Sequence, residues 1–290
     1  MSLLDSLPRE NPPRLLFHYT SLDGALAILK SKSIWASNID GMNDAKERAH
    51  SVDILTHCIE NLMHRTGFRD GSLSSRITLR LKAVSDRSLG HCVASLSEDG
   101  DLLSQWRAYG ENGSGIALGF NAALLRRDLD SKSFTLRKVI YDRRIQEEIC
   151  NDFLNKNFPS TAWETAPEDW PEVTTTQIDE FASTIGVFFK HPAFADEREW
   201  RAISGPNHLY DSLWKYRPLA RGLTSYLDVP LAAIFSPESE TESQDTVPHF
   251  QFVVGPKVRK KPTTAILQAI SQQVLGKGYG PSLSSAPYVD

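Results

Sequence analysis

The sequence predicts a single α+β domain, and three observations carry that expectation. Short apolar runs of strand length are interspersed with helical patterns, and no long alternating βαβ series or internal repeat is visible. The composition is that of an ordinary folded chain: 290 residues, 40% hydrophobic and 23% charged, enough for one large or two small cores. Acidic residues outnumber basic ones by 36 to 32, for a net charge of -4, which excludes a broad basic field for duplex nucleic acid but leaves room for a local groove. The three cysteines, Cys58, Cys92 and Cys150, are far apart and form no disulfide or zinc pattern, so a reducing cytoplasm is expected. No apolar run approaches the ~20 residues of a membrane span, and the N-terminus lacks a signal-peptide apolar region, so no membrane association is expected.

Taken in order, residues 1–13 read as a polar lead-in arm and residues 14–290 as the domain. Leu15–Tyr19 is a strand; Thr20-Ser21 offers an N-cap to a helix carrying Leu22, Ala25, Leu26 and Leu29 at helical spacing. That helix ends near Lys32, and Ile34–Ser37 is a second strand. Gly41–Asp44 is a turn, followed by helix to about Arg87 with a break at 66–71. His50, His57 and His64 recur every seven residues, but two helical turns separate neighbours by ~10 Å, too far for one metal ion. His91–Leu96 is a strand with Cys92 as a small core residue, 101–109 contains a short helix, and Ile116–Phe120 is a buried strand. The glycines of the 112–115 turn do not lead into a helix, so they form a connection and not a phosphate cradle. Phe134–Tyr141 is a strand, Arg143–Asn157 a helix, 158–172 an ordered surface loop with Trp163 and Trp170, and Thr174–Phe189 a helix. Strands follow at 214–216, 223–229 and 250–254, a mobile acidic loop at about 236–247, a helix at 263–275 entered at Pro262, and one further strand in the tail.

The stretch Lys190–Ser204, KHPAFADEREWRAIS, concentrates the charge. Read as a strand, it places Glu197, Glu199, Arg201 and Ile203 on one face and Arg198, Trp200 and Ala202 on the other. Two carboxylates so placed repel unless a positive group lies between them, either a flanking arginine or a cationic substrate. The plain alternative is a charged edge strand that blocks aggregation, or a surface ion-pair ladder of Arg198, Arg201 and Glu197 worth ~1 kcal/mol or less per pair.

Motifs distributed along the chain give this stretch a context. His18-Tyr19-Thr20-Ser21, Met42-Asn43-Asp44, SLSED at 95–99, Trp106 with Tyr109, EREWR at 197–201, VGP at 254–256 and Pro287-Tyr288 together resemble a bacterial family known as domain of unknown function 2971. The tail departs from that family, with Val289 where an arginine is usual. His18–Ser21 followed by Ile28-Leu29 is also similar, more distantly, to the opening of ADP-ribosyltransferases of the His-Tyr-Glu type. Ser104–Tyr109 resembles their Ser-x-Ser-x-x-Tyr segment, and Glu199 their late-strand catalytic glutamate. Tyr19 stands where many members have glycine, and Trp106 where they have serine.

This second resemblance implies a split, mostly antiparallel sheet flanked by helices, with His18 and Glu199 on adjacent central strands. It also implies a site for NAD, used as substrate, in which Glu199 is catalytic and His18, Tyr19, Thr20, Ser104 and Tyr109 bind the dinucleotide, with no metal. The implied activity is NAD-dependent ADP-ribosyl transfer, or NAD hydrolysis at the same site, in a bacterial toxin or phage-defence setting. The acceptor would be a protein or nucleic acid, and an antitoxin or defence partner is implied with it. The residue types suit the chemistry: a carboxylate beside the ribose stabilises the oxocarbenium-like charge of glycosidic cleavage, an aromatic face orients nicotinamide, and a histidine of either tautomer hydrogen-bonds the far ribose. The competing expectation is a non-catalytic chain of the same fold, with a closed cleft, acting as a binding or regulatory module. A nuclease needs clustered carboxylates, and Asp99, Asp101, Asp196 and Glu197 form no visible cluster.

Overall fold

A computed structural model describes residues 3–39, 45–85, 91–205, 214–219, 222–236, 248–276 and 278–287. The expected turn at 41–44, with its Met42-Asn43-Asp44 motif, most of the acidic loop at 236–247, and Tyr288-Val289 lie outside these residues.

Ten strands among the described residues form one open, mostly antiparallel sheet. The chain opens as the patterning predicts: β1 (Leu15–Thr20), α1 (Leu22–Ser31) and β2 (Ser33–Asn38), with the Ser21 hydroxyl accepting from Gly24 N at 2.9 Å as the N-cap of α1. The helices α2 (Ala45–Arg65) and α3 (Leu73–Ser85) follow, then β3 (Cys92–Ser97), α4 (Leu103–Ala108) and β4 (Ile116–Asn121). The next helix, α5 (Ala122–Asp130), has no counterpart in the sequence expectation; it starts directly at the end of β4, where Asn121 Oδ1 accepts from Ala123 N and Leu124 N as its cap. Thereafter come β5 (Phe134–Lys138), α6 (Arg143–Asn157), α7 (Glu172–Thr184), β6 (Glu199–Ser204), β7 (Lys215–Leu219), β8 (Gly222–Pro230), β9 (Phe250–Val254), α8 (Lys260–Leu275) and the two-residue β10 (Ser282–Leu283).

The sheet forks at β3. One edge of β3 pairs with β6 over five residues, from Val93↔Ile203 to Ser97↔Glu199, and β6 pairs onward with β5. The opposite edge is shared: β2 takes Val93 and Cys92, whereas β1 takes only Ser97, opposite Phe17. Beyond β1 lie β4, β9 and β10, and beyond β2 lie β8 and β7. Between its two short contacts the edge of β3 is open, and that gap is where the candidate site sits.

Alternation along the strands feeds two cores. One face buries Leu16, Ile34, Ala94, Leu118, Trp200 and Phe252 against α1, α5 and α8. The other buries Val93 and Ile203 against α2, α3, α6 and α7. Two segments are docked more firmly than their patterns suggest. The loop at 158–172 runs over the surface, as expected, but Trp163 and Trp170 are 2% and 3% exposed and pack edge to face inside the second core. The lead-in arm before β1 is anchored as well, with Leu7 buried in the same core and Leu3 and Leu4 packed beside it. In each case apolar side chains too few to give a periodic signal are recruited by a neighbouring helix layer. No described helix is long and apolar enough to cross a membrane.

Candidate active site

A cavity of about 60 Å³ lies at the fork, lined by Phe17, His18 and Tyr19 of β1, Ser95 and Leu96 of β3, Gln105 of α4, Tyr109, Glu197 and Glu199. Four of the residues nominated from sequence therefore meet in one place: His18, Tyr19, Tyr109 and Glu199. Thr20 and Ser104 do not line it; the Ser104 hydroxyl is buried without a hydrogen-bond partner among the described residues.

The carboxylate side of the cavity departs from a plain strand. Pro192–Glu197 is a 3₁₀ turn capped by the His191 ring, which accepts from Ala193 N, and Arg198 adopts a left-handed conformation at φ 47°. β6 thus begins at Glu199, not Glu197, and Arg198 is an exposed residue opposite Asp99 at 3.7 Å. Glu197 and Glu199 are still brought together, by a residue the sequence reading left without a role. Lys190, 2% exposed, donates from Nζ to Glu197 Oε2 at 2.6 Å and to Glu199 Oε2 at 2.9 Å. Arg201 adds a fork of two bonds to Glu199, Nε to Oε1 at 2.7 Å and Nη2 to Oε2 at 3.0 Å, and its Nη1 reaches the Val187 carbonyl. The backbone of Lys190 is pinned as well: its N–H donates to Ile140 O, and its carbonyl accepts from Gln146 Nε2. The alternative of a surface ladder of weak ion pairs is thereby replaced by a buried network of Lys190, Glu197, Glu199 and Arg201. A signal for Lys190 was available, since it is a lone lysine set directly after the apolar run Val187-Phe188-Phe189 and just ahead of two glutamates.

These contacts drive the two carboxyls apart. Burial pushes Glu199 upward, but the charges of Arg201 and Lys190 outweigh it and hold the group at about 2. Burial raises Glu197, and Lys190 offsets this only in part. The pair thus combines a firmly ionised carboxylate with one that takes a proton more readily, the division seen where two acids play different parts. A carboxylate offers about four acceptor positions. Glu199 uses three on Lys190 and Arg201, leaving one.

A pH dependence follows. In the folded chain Glu199 stays ionised to about 2, against 4.5 for a free glutamate, so its stabilisation is complete above about pH 4.5 and is lost as the pH falls toward 2. Glu197 runs the other way: with its folded value raised, its contribution is present at low pH and is lost as the pH rises through that value. An unfolding titration should show wild type losing stability below about pH 4.5, with a shallower slope in Glu199→Gln. An identical slope in the variant would assign the acid transition to other carboxyls.

On the other side of the cavity, His18 Nδ1 lies 3.1 Å from the Ser95 carbonyl, and burial lowers its pKa. A carbonyl can only accept, so Nδ1 carries the proton and the neutral ring presents Nε2 as an acceptor. The expectation that either tautomer serves is corrected: the Ser95 carbonyl fixes one tautomer, in which Nε2 can only accept. Its placement also differs from expectation. β3 stands between β1 and β6, so His18 and Glu199 are not on adjacent strands. Directly paired residues share a sheet face, so Phe17, Ser97 and Glu199 point one way and His18, by alternation, the other. The two residues line one cavity because the fork leaves the edge of β3 open between them.

The floor is aromatic. Tyr19 and Trp106 pack edge to face, with centroids 4.8 Å apart. The Tyr19 hydroxyl donates to Asp99 O at 2.8 Å and accepts from Leu102 N at 2.9 Å, so it serves the structure. Tyr109, 51% exposed, stands at the mouth. Three of the four carboxylates considered for a metal are tied to separate partners, Asp99 to Arg198, Asp101 to Ser284 and Ser285, and Glu197 to Lys190, and the fourth, Asp196, is exposed.

Fold and site together define an α+β protein with a forked antiparallel sheet and an ion-paired carboxylate site at the fork. Residues 105–202, roughly a third of the chain, match the model of a family described as "Protein of unknown function (DUF2971)". That segment holds Gln105, Tyr109, Lys190, Glu197, Glu199 and Arg201 and stops short of β1 and His18. No curated protein and no solved structure matches the chain.

Proposed function

We propose that this chain is an NAD-dependent ADP-ribosyltransferase, or an NAD glycohydrolase, whose chemistry takes place in the fork cavity. One observation carries the reading: His18, Tyr19, Tyr109 and Glu199, four of the six residues that the resemblance nominates together from distant segments, line the same small cavity. In this reading the bond between the nicotinamide nitrogen and ribose C1′ breaks, and its electron pair leaves with nicotinamide. The ribose becomes oxocarbenium-like, and an acceptor hydroxyl, amine or water forms the new bond to C1′ and gives up a proton. Glu199, ionised, supplies negative charge beside the ribose through its remaining acceptor position. Glu197, with its greater proton affinity, is placed to take the acceptor's proton. His18 Nε2 accepts from a hydroxyl of the far ribose, and Tyr109 offers its ring to a flat group at the mouth.

A second reading has its own support. A cavity of about 60 Å³ is far below the ~300–1,000 Å³ of ordinary ligand pockets. It admits one small ring or a few waters, and Glu199 is already largely engaged. Those facts favour a binding or regulatory module of the same fold, unless part of the wall moves.

Thermal unfolding with and without NAD, together with nicotinamide release, separates the two. Transfer or hydrolysis predicts a melting temperature that rises with NAD concentration, by the equivalent of about 2.7 kcal/mol at a hundred times the dissociation constant, and measurable nicotinamide. A module of the second kind gives neither. Labelled NAD incubated with cell lysate, followed by protease or nuclease digestion, then distinguishes protein, nucleic-acid and water acceptors.

A further inference from the structure

The two walls of the cavity are built to different standards. The carboxylate wall is fixed by the Lys190 and Arg201 ion pairs and by five residues of pairing between β3 and β6. Another wall is α4, six residues long, which touches the 3₁₀ turn of Glu197 and whose N-cap position, Leu102, makes no side-chain cap bond. Its anchor is Trp106, fully buried, which donates from Nε1 to Asp101 Oδ1 at 2.8 Å and packs on Tyr19. Asp101 is in turn occupied by the C-terminal segment. Ser284 Oγ donates to Oδ1, and Ser285 N and Oγ donate to Oδ2 at 2.7 and 2.9 Å. Ala286 packs into the small cluster of Phe17, Tyr19, Trp106, Ala117 and Val253 that backs the cavity. This segment is itself lightly held on the sheet, by two residues of parallel pairing to β9, one bond from Ser284 N to Val254 O and an exposed bond from Gln251 Nε2 to Ser282 Oγ at 3.1 Å.

We propose that Ser282–Pro287 is a latch: clamped on Asp101, it holds Trp106 and α4 against β1 and keeps the cavity small, and its release lets α4 move and opens the cavity to a ligand. One carboxylate links the tail to the wall, so loosening the tail removes three of the four hydrogen bonds that orient the Asp101 side chain under Trp106. The proposal does not rest on NAD being the ligand, and its test uses none.

The test compares the full chain with Ser284→Ala/Ser285→Ala, which keeps the backbone bond from Ser285 but removes both hydroxyl donors. Hydrogen exchange of residues 101–110 should rise roughly tenfold or more, as expected for two lost bonds to a charged group, while residues 199–204 stay unchanged. Independently, Ser95→Cys places a thiol on the cavity wall, where the native hydroxyl is buried and unpartnered among the described residues. The introduced thiol should react slowly with a small thiol reagent in the otherwise unchanged chain, and several-fold or more faster in the latch variant; the native cysteines are buried and provide the internal reference. Faster exchange confined to the tail, equal acceleration everywhere, or an unchanged reaction rate of the introduced thiol would each overturn the latch. If Ser95→Cys fails to fold, the exchange measurement decides alone.

Discussion

Replacing Lys190 with methionine should cost the protein about 3–5 kcal/mol of stability, because it removes one partner of a buried charge network and leaves the others in place. Methionine matches the stem of lysine but carries no charge, so packing is nearly kept and the electrostatic change dominates. Without the ammonium group, 2.6 Å from Glu197 and 2.9 Å from Glu199, two carboxylates share a dry site with the single Arg201 guanidinium. One must then take a proton, or the 3₁₀ turn that carries Glu197 must lift into water. Urea unfolding should show a lower midpoint with an unchanged slope. Adding Glu197→Gln removes the charge left in excess, and the double variant should recover about 1 kcal/mol or more relative to the sum of the single changes. A cost below about 1 kcal/mol for Lys190→Met would mean that the network does not hold this end of β6, and that the site is more solvated than its burial indicates.

Glu199→Gln is the second variant with a large expected effect, on two separate readouts. Gln cannot neutralise Arg201 and Lys190, so stability should fall by a few kcal/mol even though size and shape are kept. The bidentate contact from Arg201 is the main reason for that loss. Under conditions where the variant is still folded, nicotinamide release per folded molecule should drop roughly a hundredfold or more, since the charge facing the oxocarbenium-like ribose is gone. NAD affinity should change much less, because the amide oxygen still accepts a hydrogen bond. Release undiminished after correction for the folded fraction would take Glu199 out of the chemistry and leave it a structural ion-pair partner. Wild type releasing no nicotinamide at any NAD concentration would favour the binding module.

Lys190 also explains why the cavity looks as it does. Two glutamates near each other in an apolar setting would ordinarily share a proton. Here the chain supplies its own cations, so Glu199 stays ionised and the site is close to electrically balanced. A ligand entering such a site competes with internal partners instead of filling an open charge, which favours an uncharged, hydroxyl-bearing group at that point. The acceptor nitrogen of His18 and the remaining position on Glu199 are both suited to hydroxyl donors.

Local structure was largely determined by the sequence. Strand and helix periodicity placed β1, α1, β2, β4, α6 and β9 within a few residues, because each has an uninterrupted apolar pattern with a cap or turn residue at its end. The need for a cation near Glu197 and Glu199 was visible from their closeness in sequence, although the strand that was to carry both begins only at Glu199. Tertiary structure decided which cation. Lys190 reaches both glutamates only because the 3₁₀ turn folds the chain back on itself, and a local pattern does not encode such a return. The depth of Trp163 and Trp170 and the docking of Leu7 were likewise decided by helices elsewhere in the chain. The pairing at β3 is the clearest case. Whether β1 lies beside β6 or is separated from it by another strand depends on hydrogen bonds between segments about a hundred residues apart, and the alternation of each strand is the same either way. The resemblance could therefore pair His18 with Glu199, while only the fork in the sheet determined that they line one cavity from opposite faces.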